Sequence, residues 1–205
     1  MNRRRFIALA LLLGLAAVVV PASRAQAVSG PAAVPQSLCD ALIASMKQGA
    51  ALSFKQRYDL LAPEVSKDLD LGLMTRLVVG PPWKTLAAKD QQDLVKAFSD
   101  YSIATYAQRF KSFSGERFEV DPTATAGTGG TMVVHTKLFT GDPDPVQLDY
   151  LMKKEADGWR IIDVFLSGTI SELAARRSEY STTLRQGGAP ALVDLLQKKT
   201  ADFGR

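Results

Sequence analysis

The sequence has only one cysteine, Cys39, and one histidine, His135, among its 205 residues. A single cysteine cannot form a disulfide within the chain, which excludes a disulfide-built fold. A single histidine excludes His-rich metal chemistry. His135 lies in a predicted strand without a second ligand at metal-site spacing, so we predict that it has a cross-strand structural role and that no metal is bound.

Strong catalytic motifs are also missing. Residues 127–130, Gly-Thr-Gly-Gly, lack the Lys-Ser/Thr that completes a phosphate-binding loop, and they lie between predicted strands, which favours a hairpin turn. The sequence contains no G-x-S-x-G nucleophile motif. The sequence motifs therefore give no support to an acyl-transfer or nucleotide-dependent enzyme.

One acid–base alternative remains open. Tyr150, His135, Asp149 and Asp163 all lie on predicted strands, and an Asp with a raised pKa beside a Tyr donor can transfer protons in an apolar cone, as in ketosteroid-isomerase-like enzymes. Two observations weaken it. Asp149 and Tyr150 are adjacent and must face opposite sides of a sheet, and Asp163 could instead pair with a helix arginine such as Arg177.

The longest uncharged, mostly apolar run is Phe6 to Val20, whose 15 residues fall short of the roughly 20 that span a bilayer. Three arginines precede it, and Ala25-Gln26-Ala27 follows with small residues at the positions a signal peptidase reads. This layout predicts a cleaved signal peptide over residues 1–27, a mature domain over residues 28–205, and a location in a bacterial periplasm. Export could follow the general secretory route or the twin-arginine route, since Arg3-Arg4-Arg5-Phe6-Ile7 approximates the latter signal.

The basic charge of the chain belongs to this segment. The whole sequence carries 25 Lys plus Arg against 21 Asp plus Glu, a net charge of +4, and Arg3, Arg4, Arg5 and Arg24 account for the excess. The mature domain is therefore neutral. Without a basic surface for phosphate backbones, we expect no nucleic-acid partner.

The order of predicted elements favours a single α+β domain. Helical spacing and capping residues predict four N-terminal helices, then alternation with period two predicts a four-stranded antiparallel sheet, and two C-terminal helices follow. The predicted helices are 37–51, 53–61 (ended by Pro63), 69–79, 89–113, 169–186 (capped by Thr169) and 190–203. The predicted strands are 116–120, 131–140, 145–153 and 159–166.

The helix predicted at 89–113 is unusually apolar. Its apolar residues cover an arc of about 200°, roughly twice that of an ordinary surface helix, and Arg109 interrupts them. Two explanations stay open. The helix is packed between two layers, or part of its second face lines an apolar cavity.

Several segments, in order, resemble the MlaC-type or toluene-tolerance proteins, the periplasmic auxiliary components of lipid-transporting ABC systems, with the hopanoid-associated HpnM branch most similar. The resemblance covers nearly the whole mature chain, and its most specific part is Gly168-Thr169-Ile170-Ser171-Glu172-Leu173 running into Arg176-Arg177-Ser178-Glu179-Tyr180. The other matching segments are Gly80 with Trp83, Asp90-Gln91-Gln92, Tyr106-Ala107-Gln108-Arg109-Phe110 with Gly115, Val146 to Tyr150, and Gly158 to Val164.

The resemblance implies a carrier that shields lipid in an apolar cavity between the helices and a twisted four-stranded sheet, and we expect it to be a monomer. It implies no catalytic activity and no cofactor other than the lipid cargo, which is phospholipid or hopanoid. The implied partners are an inner-membrane ABC/MCE-type complex and an outer-membrane complex. We predict that the cavity is lined by Tyr101, Tyr106, Phe110, Val134, Leu148, Tyr150 and Trp159, with ordinary core packing as the alternative for each.

Overall fold

The computed structural model describes residues 30–205, so the predicted signal peptide lies outside the described residues. Within these residues, five α-helices and one sheet form a single α+β domain. The helices are α1 (Ala33–Gln48), α2 (Phe54–Asp68), α3 (Leu71–Val79), α4 (Ala88–Arg109) and α5 (Glu172–Phe203). The strands are β1 (Arg117–Val120), β2 (Thr125–Ala126), β3 (Met132–Phe139), β4 (Val146–Glu155), β5 (Gly158–Leu166) and β6 (Ile170–Ser171).

The sheet is antiparallel with the order β1-β3-β4-β5-β6, and β2 also pairs with β3. It has six strands where four were predicted. The two additional strands, β2 and β6, are two residues long, too short to produce an alternating pattern in the sequence. Residues 128–130 form the turn between β2 and β3, as predicted.

The prediction that Pro63 ends the second helix was wrong. α2 continues to Asp68 with Pro63 inside it. A proline in a helix interior costs about 3 kcal/mol because it removes one hydrogen bond and crowds the preceding turn. Leu61 and Val65 flank Pro63 and are both completely buried. At about 1.5–3 kcal/mol for each buried side chain, their packing offsets that cost. The other end of α2 is as predicted, with Ser53 in a reciprocal capping box with Gln56.

The C-terminal helices are one α5 segment broken at Gly188, where φ is +65° and ψ is −160°. The predicted division into two helices is therefore confirmed, because only glycine adopts this conformation without strain. The predicted start at Thr169 was wrong. Ser171 caps α5, its Oγ accepting a hydrogen bond from the Ala174 N–H at 2.9 Å, and residues 170–171 form strand β6.

A β-bulge in β5 changes which residues face the helices. Leu151 pairs with Asp163, whereas Met152 pairs with Ile161, so Ile162 is an extra residue in the strand. Odd-numbered residues face the helices before the bulge, as Ile161 does, and even-numbered residues such as Val164 do so after it. A strict alternation could not predict this exchange of faces.

The helices pack on one face of the sheet, and α4 and α5 pack on each other. Arg57 of α2 is buried and connects α2 to α4. Its Nε donates to the Ala107 carbonyl of α4 at 3.0 Å, and its Nη1 donates to the Leu52 carbonyl at 2.6 Å. α4 ends at Arg109, four residues before its predicted end. Within residues 30–205, no helix is both long enough and apolar enough to cross a bilayer.

Candidate functional site: an apolar pocket beneath two helices

A pocket of about 90 Å³ lies between α4, the first turns of α5 and the inner face of β4 and β5. Its lining is mostly apolar and comes from both layers. The residues that line it are Leu69, Met74, Phe98, Ser102, Thr105, Tyr106, Arg109, Phe110, Leu148, Tyr150, Val164, Leu166, Glu172, Leu173 and Arg176.

The sheet wall follows from strand geometry. Leu148 and Tyr150 are two residues apart in β4 and face the same side. Leu148 pairs with Leu166 and Tyr150 pairs with Val164 across the β4–β5 ladder. The bulge at Ile162 brings Val164 and Leu166 to the pocket side, so the four residues form one apolar surface.

The helix wall comes from one face of α4, where Phe98, Ser102, Thr105 and Tyr106 recur at helical spacing. The Thr105 hydroxyl donates to the Tyr101 carbonyl of the same helix at 2.7 Å, so this hydroxyl does not need a hydrogen-bond acceptor from a ligand. Tyr106 and Phe110 stack with ring centroids 6.1 Å apart. This wall suits hydrocarbon better than a polar substrate.

The deepest tyrosines are neutral. Burial raises the pKa of Tyr150 and of Tyr106 well above the ordinary tyrosine value. The Tyr150 hydroxyl lies 4.0 Å from the Cys39 sulfur, and Cys39 is itself buried. These groups stay protonated at physiological pH and present no charge to the pocket.

The carboxylates of the acid–base alternative lie elsewhere. Asp149 is on the outer face of the sheet, 3.1 Å from His135 Nδ1, while His135 Nε2 lies 3.1 Å from the Thr125 hydroxyl. His135 therefore has the predicted cross-strand structural role. Among the described residues, the only carboxylate that lines the pocket is Glu172 at its rim. Within residues 30–205, neither Asp149 nor Asp163 lines the pocket beside Tyr150.

The suggested pairing of Asp163 with Arg177 was wrong. Asp163 caps the start of α5 instead: its carboxylate accepts hydrogen bonds from the Ser171 hydroxyl at 2.5 Å and from the Leu173 N–H at 3.1 Å. It also accepts one from the Val164 N–H at 2.8 Å. The β5–α5 connection brings the carboxylate to the helix N-terminus, where negative charge is favourable. Asp163 thus fixes the helix that forms one side of the pocket.

The rim is polar and carries three charged side chains. Glu172 lies 3.2 Å from Arg109 and 3.5 Å from Arg176, so one carboxylate joins α5 to α4. The Arg176 guanidinium lies 5.0 Å above the Tyr101 ring centroid. Burial alone would lower the pKa of Arg176, but Tyr180 and Glu172 outweigh it and the pKa is raised. Arg176 therefore remains a cation at the rim.

Four of the seven residues predicted to line a cavity lie on this pocket: Tyr106, Phe110, Leu148 and Tyr150. The other three lie outside it. Val134 is completely buried opposite Tyr150 in the β3–β4 ladder, and Trp159 packs against the core at the other end of β5. Tyr101 stacks on Phe203 of α5 at 5.9 Å.

Sequence reasoning missed the rim and half of the sheet wall. The interruption of the apolar face of α4 by Arg109 was the available signal for the rim. Val164 and Leu166 gave none, because the bulge that turns them inward is visible only in the pairing.

Comparisons with known proteins identify the family and the fold. Residues 36–198 match the family described as MlaC protein. The chain belongs to the MlaC family. Its fold is also that of a phospholipid-binding protein from Ralstonia solanacearum, whose structure was solved in complex with a phospholipid. The two are 21% identical with a TM-score of 0.74, and the match covers 86% of this chain and 100% of the other. This MlaC-family chain thus shares the fold over almost all of its described residues.

Proposed function

We propose that this protein is a periplasmic carrier that holds the hydrocarbon of a lipid in the pocket between α4, α5 and the sheet. The observation that carries the proposal is the pocket itself. It is an apolar space within the MlaC fold with charged residues along one edge. The related Ralstonia protein binds a phospholipid. We therefore propose phospholipid as the first cargo.

The rim suits the boundary between lipid tail and headgroup. Hydrocarbon is stabilised by the walls, while Arg109 and Arg176 lie where a phosphate would leave the pocket. Both arginines already share the Glu172 carboxylate, so a phosphate gains less from them than from free arginines. We therefore propose weak headgroup selectivity.

Loading requires the pocket to widen. Its volume of about 90 Å³ is below the roughly 150 Å³ of an apolar cavity that accepts one benzene molecule. An acyl chain is larger, so α4 and α5 have to move away from β4 and β5 as it enters. The pocket as described is therefore narrower than the cargo we propose.

The energetics require release at a partner. Burying hydrocarbon is worth about 0.8 kcal/mol per methylene, so two sixteen-carbon chains amount to roughly 25 kcal/mol. Spontaneous loss to water is then too slow to be useful. We propose that the protein acts as a monomer and exchanges lipid while docked on an inner-membrane ABC/MCE-type complex and on an outer-membrane complex.

The test is extraction of the purified protein with organic solvent, followed by mass spectrometry. We expect about one phospholipid per protein, chemically unchanged, and transfer of a fluorescent phospholipid from donor to acceptor vesicles. The resemblance to the hopanoid-associated branch makes hopanoid the second cargo to test, by expression in a host that makes it. Protein that is empty and takes nothing from donor vesicles would contradict the proposal. Recovery of a chemically altered lipid would favour the enzyme alternative.

A further inference from the structure

A groove separate from the inner pocket lies on the outside of α5. It runs between the helical turn Pro81–Thr85 and the side of α5 that carries Arg177 and Arg185, and its volume is about 270 Å³. Its apolar floor consists of Val78, Val79, Pro81, Pro82 and Leu184, and Ser181 lies between the two arginines in the sequence of α5. The groove shares no lining residue with the inner pocket.

The two arginines lack acidic partners. No residue that lines the groove is acidic, and neither Arg177 nor Arg185 lies within 4.0 Å of a carboxylate oxygen in the described part of the chain. The neighbouring Arg176 is different, since it lies 3.5 Å from Glu172. An apolar floor with two unpaired guanidinium groups is complementary to a ligand that is both anionic and apolar.

Arg177 lies against Gly80 beside the groove. Its guanidinium is so close that a Cβ at residue 80 would be 3.0 Å from Arg177 Cζ. Gly80 also has φ of +72°, a conformation that favours glycine. Arg185 is held by a 3.0 Å hydrogen bond from its Nη2 to the Thr182 hydroxyl. Both side chains are exposed, and each has one contact beside the groove.

We propose that this groove is a second binding site, for an anionic single-chain amphiphile whose phosphate group lies between Arg177 and Arg185 and whose first carbons lie on Pro81, Pro82 and Leu184. Guanidinium groups are suited to phosphate because they present paired N–H donors. The site does not depend on the inner pocket carrying lipid. The proposed site in the groove accounts for two unpaired arginines that lie beside an apolar floor, on a domain that is neutral as a whole.

The natural reporter is Trp83, which lies in the Pro81–Thr85 turn beside the groove. The chain has two tryptophans, so a Trp159→Phe background leaves Trp83 as the only one. In this background, full-length mature protein is titrated with dodecyl phosphate below its micelle concentration while Trp83 emission is recorded. Two matched titrations serve as controls. Inorganic phosphate supplies the anion without an alkyl group, and dodecyl maltoside supplies the dodecyl group without an anion.

We expect saturable binding of dodecyl phosphate that is weakened at least about tenfold by Arg177→Gln/Arg185→Gln and by raised ionic strength. Lys137→Gln/Lys198→Gln removes the same charge from exposed lysines outside the groove and should leave binding unchanged. Circular dichroism establishes that each variant is folded. Val164→Phe, which fills the inner pocket, should also leave the Trp83 response unchanged, so this test and that of the carrier function can fail separately.

Four results would overturn the proposal. Unchanged affinity in the double arginine variant would show that the cations do not bind the ligand. Equal binding of dodecyl maltoside would show apolar contact alone, and equal binding of inorganic phosphate would show a simple anion site. Loss of the Trp83 response in Val164→Phe would place the probe in the inner pocket.

Discussion

Filling the inner pocket gives the most direct test of the carrier function. Val164 lies on the pocket side of β5, next to the bulge. Val164→Phe adds four heavy atoms to a space of about 90 Å³. If the phenyl group displaces the equivalent of four methylenes, lipid binding loses about 3 kcal/mol, or roughly two hundredfold in affinity. Because the substitution fills an existing space, we expect a change in stability of no more than about 1 kcal/mol.

The assay compares lipid uptake from vesicles by wild type, Val164→Phe and Val133→Phe. The control makes the same substitution on β3, whose register places Val133 on the sheet face opposite to that of Val134. We expect the control to load normally and Val164→Phe to take up far less lipid than wild type in competition with the vesicles. Urea unfolding establishes that both variants are folded.

Normal loading of a folded Val164→Phe would refute the reasoning. It would mean that the hydrocarbon lies elsewhere, or that opening of α4 and α5 creates so much space that a phenyl group does not matter. Equal loss of loading in both variants would point to a general effect on the sheet and would equally remove the support for this pocket.

Three further predictions concern the supports of the pocket, each measured by urea unfolding. Asp163→Ala should cost about 3 kcal/mol because it removes a charged acceptor from three hydrogen bonds at the start of α5, and Asp163→Asn should restore part of the loss. Arg57→Met should cost about 2–3 kcal/mol because two backbone carbonyls lose their donor. Burial, and then the charge of Glu64, raise the pKa of Asp68 from 3.8 to about 7. Its contribution to stability is therefore largest below pH 3.8 and is lost as the pH rises through 7. Asp68→Asn should stabilise the protein at pH 8 by more than about 1 kcal/mol, with a smaller gain at pH 5.

Local signals in the sequence predicted the elements well. Ser53 with Gln56 begins a helix because a side chain satisfies the free N–H groups of its first turn, and this interaction needs no distant partner. Gly188 divides α5 for an equally local reason, its positive φ. Pro63 shows the limit of such reasoning. A local helix breaker was outweighed by burial of its neighbours, which depends on what packs against α2.

The site was predicted only in part because its lining combines two kinds of information. Tyr106 and Leu148 were identified from their positions on apolar faces of a helix and a strand. Val164 faces the pocket because of a bulge in the ladder with β4, and Glu172 joins the rim because Arg109 lies opposite on another helix. Neither relation leaves a pattern in the residues near it.

The sequence by itself determined the order of the helices and of the four longer strands, the net charge of zero over residues 28–205 and the absence of a recognisable catalytic motif. These follow from composition, periodicity and capping, which act over a few residues. Only the tertiary structure decided which apolar residues surround a space and which fill the core. It also separated Arg176, paired with Glu172, from Arg177, which lies unpaired against Gly80. The physical reason is that the burial of a residue and the pairing of its charge depend on which residues contact it. Those residues come from distant parts of the sequence.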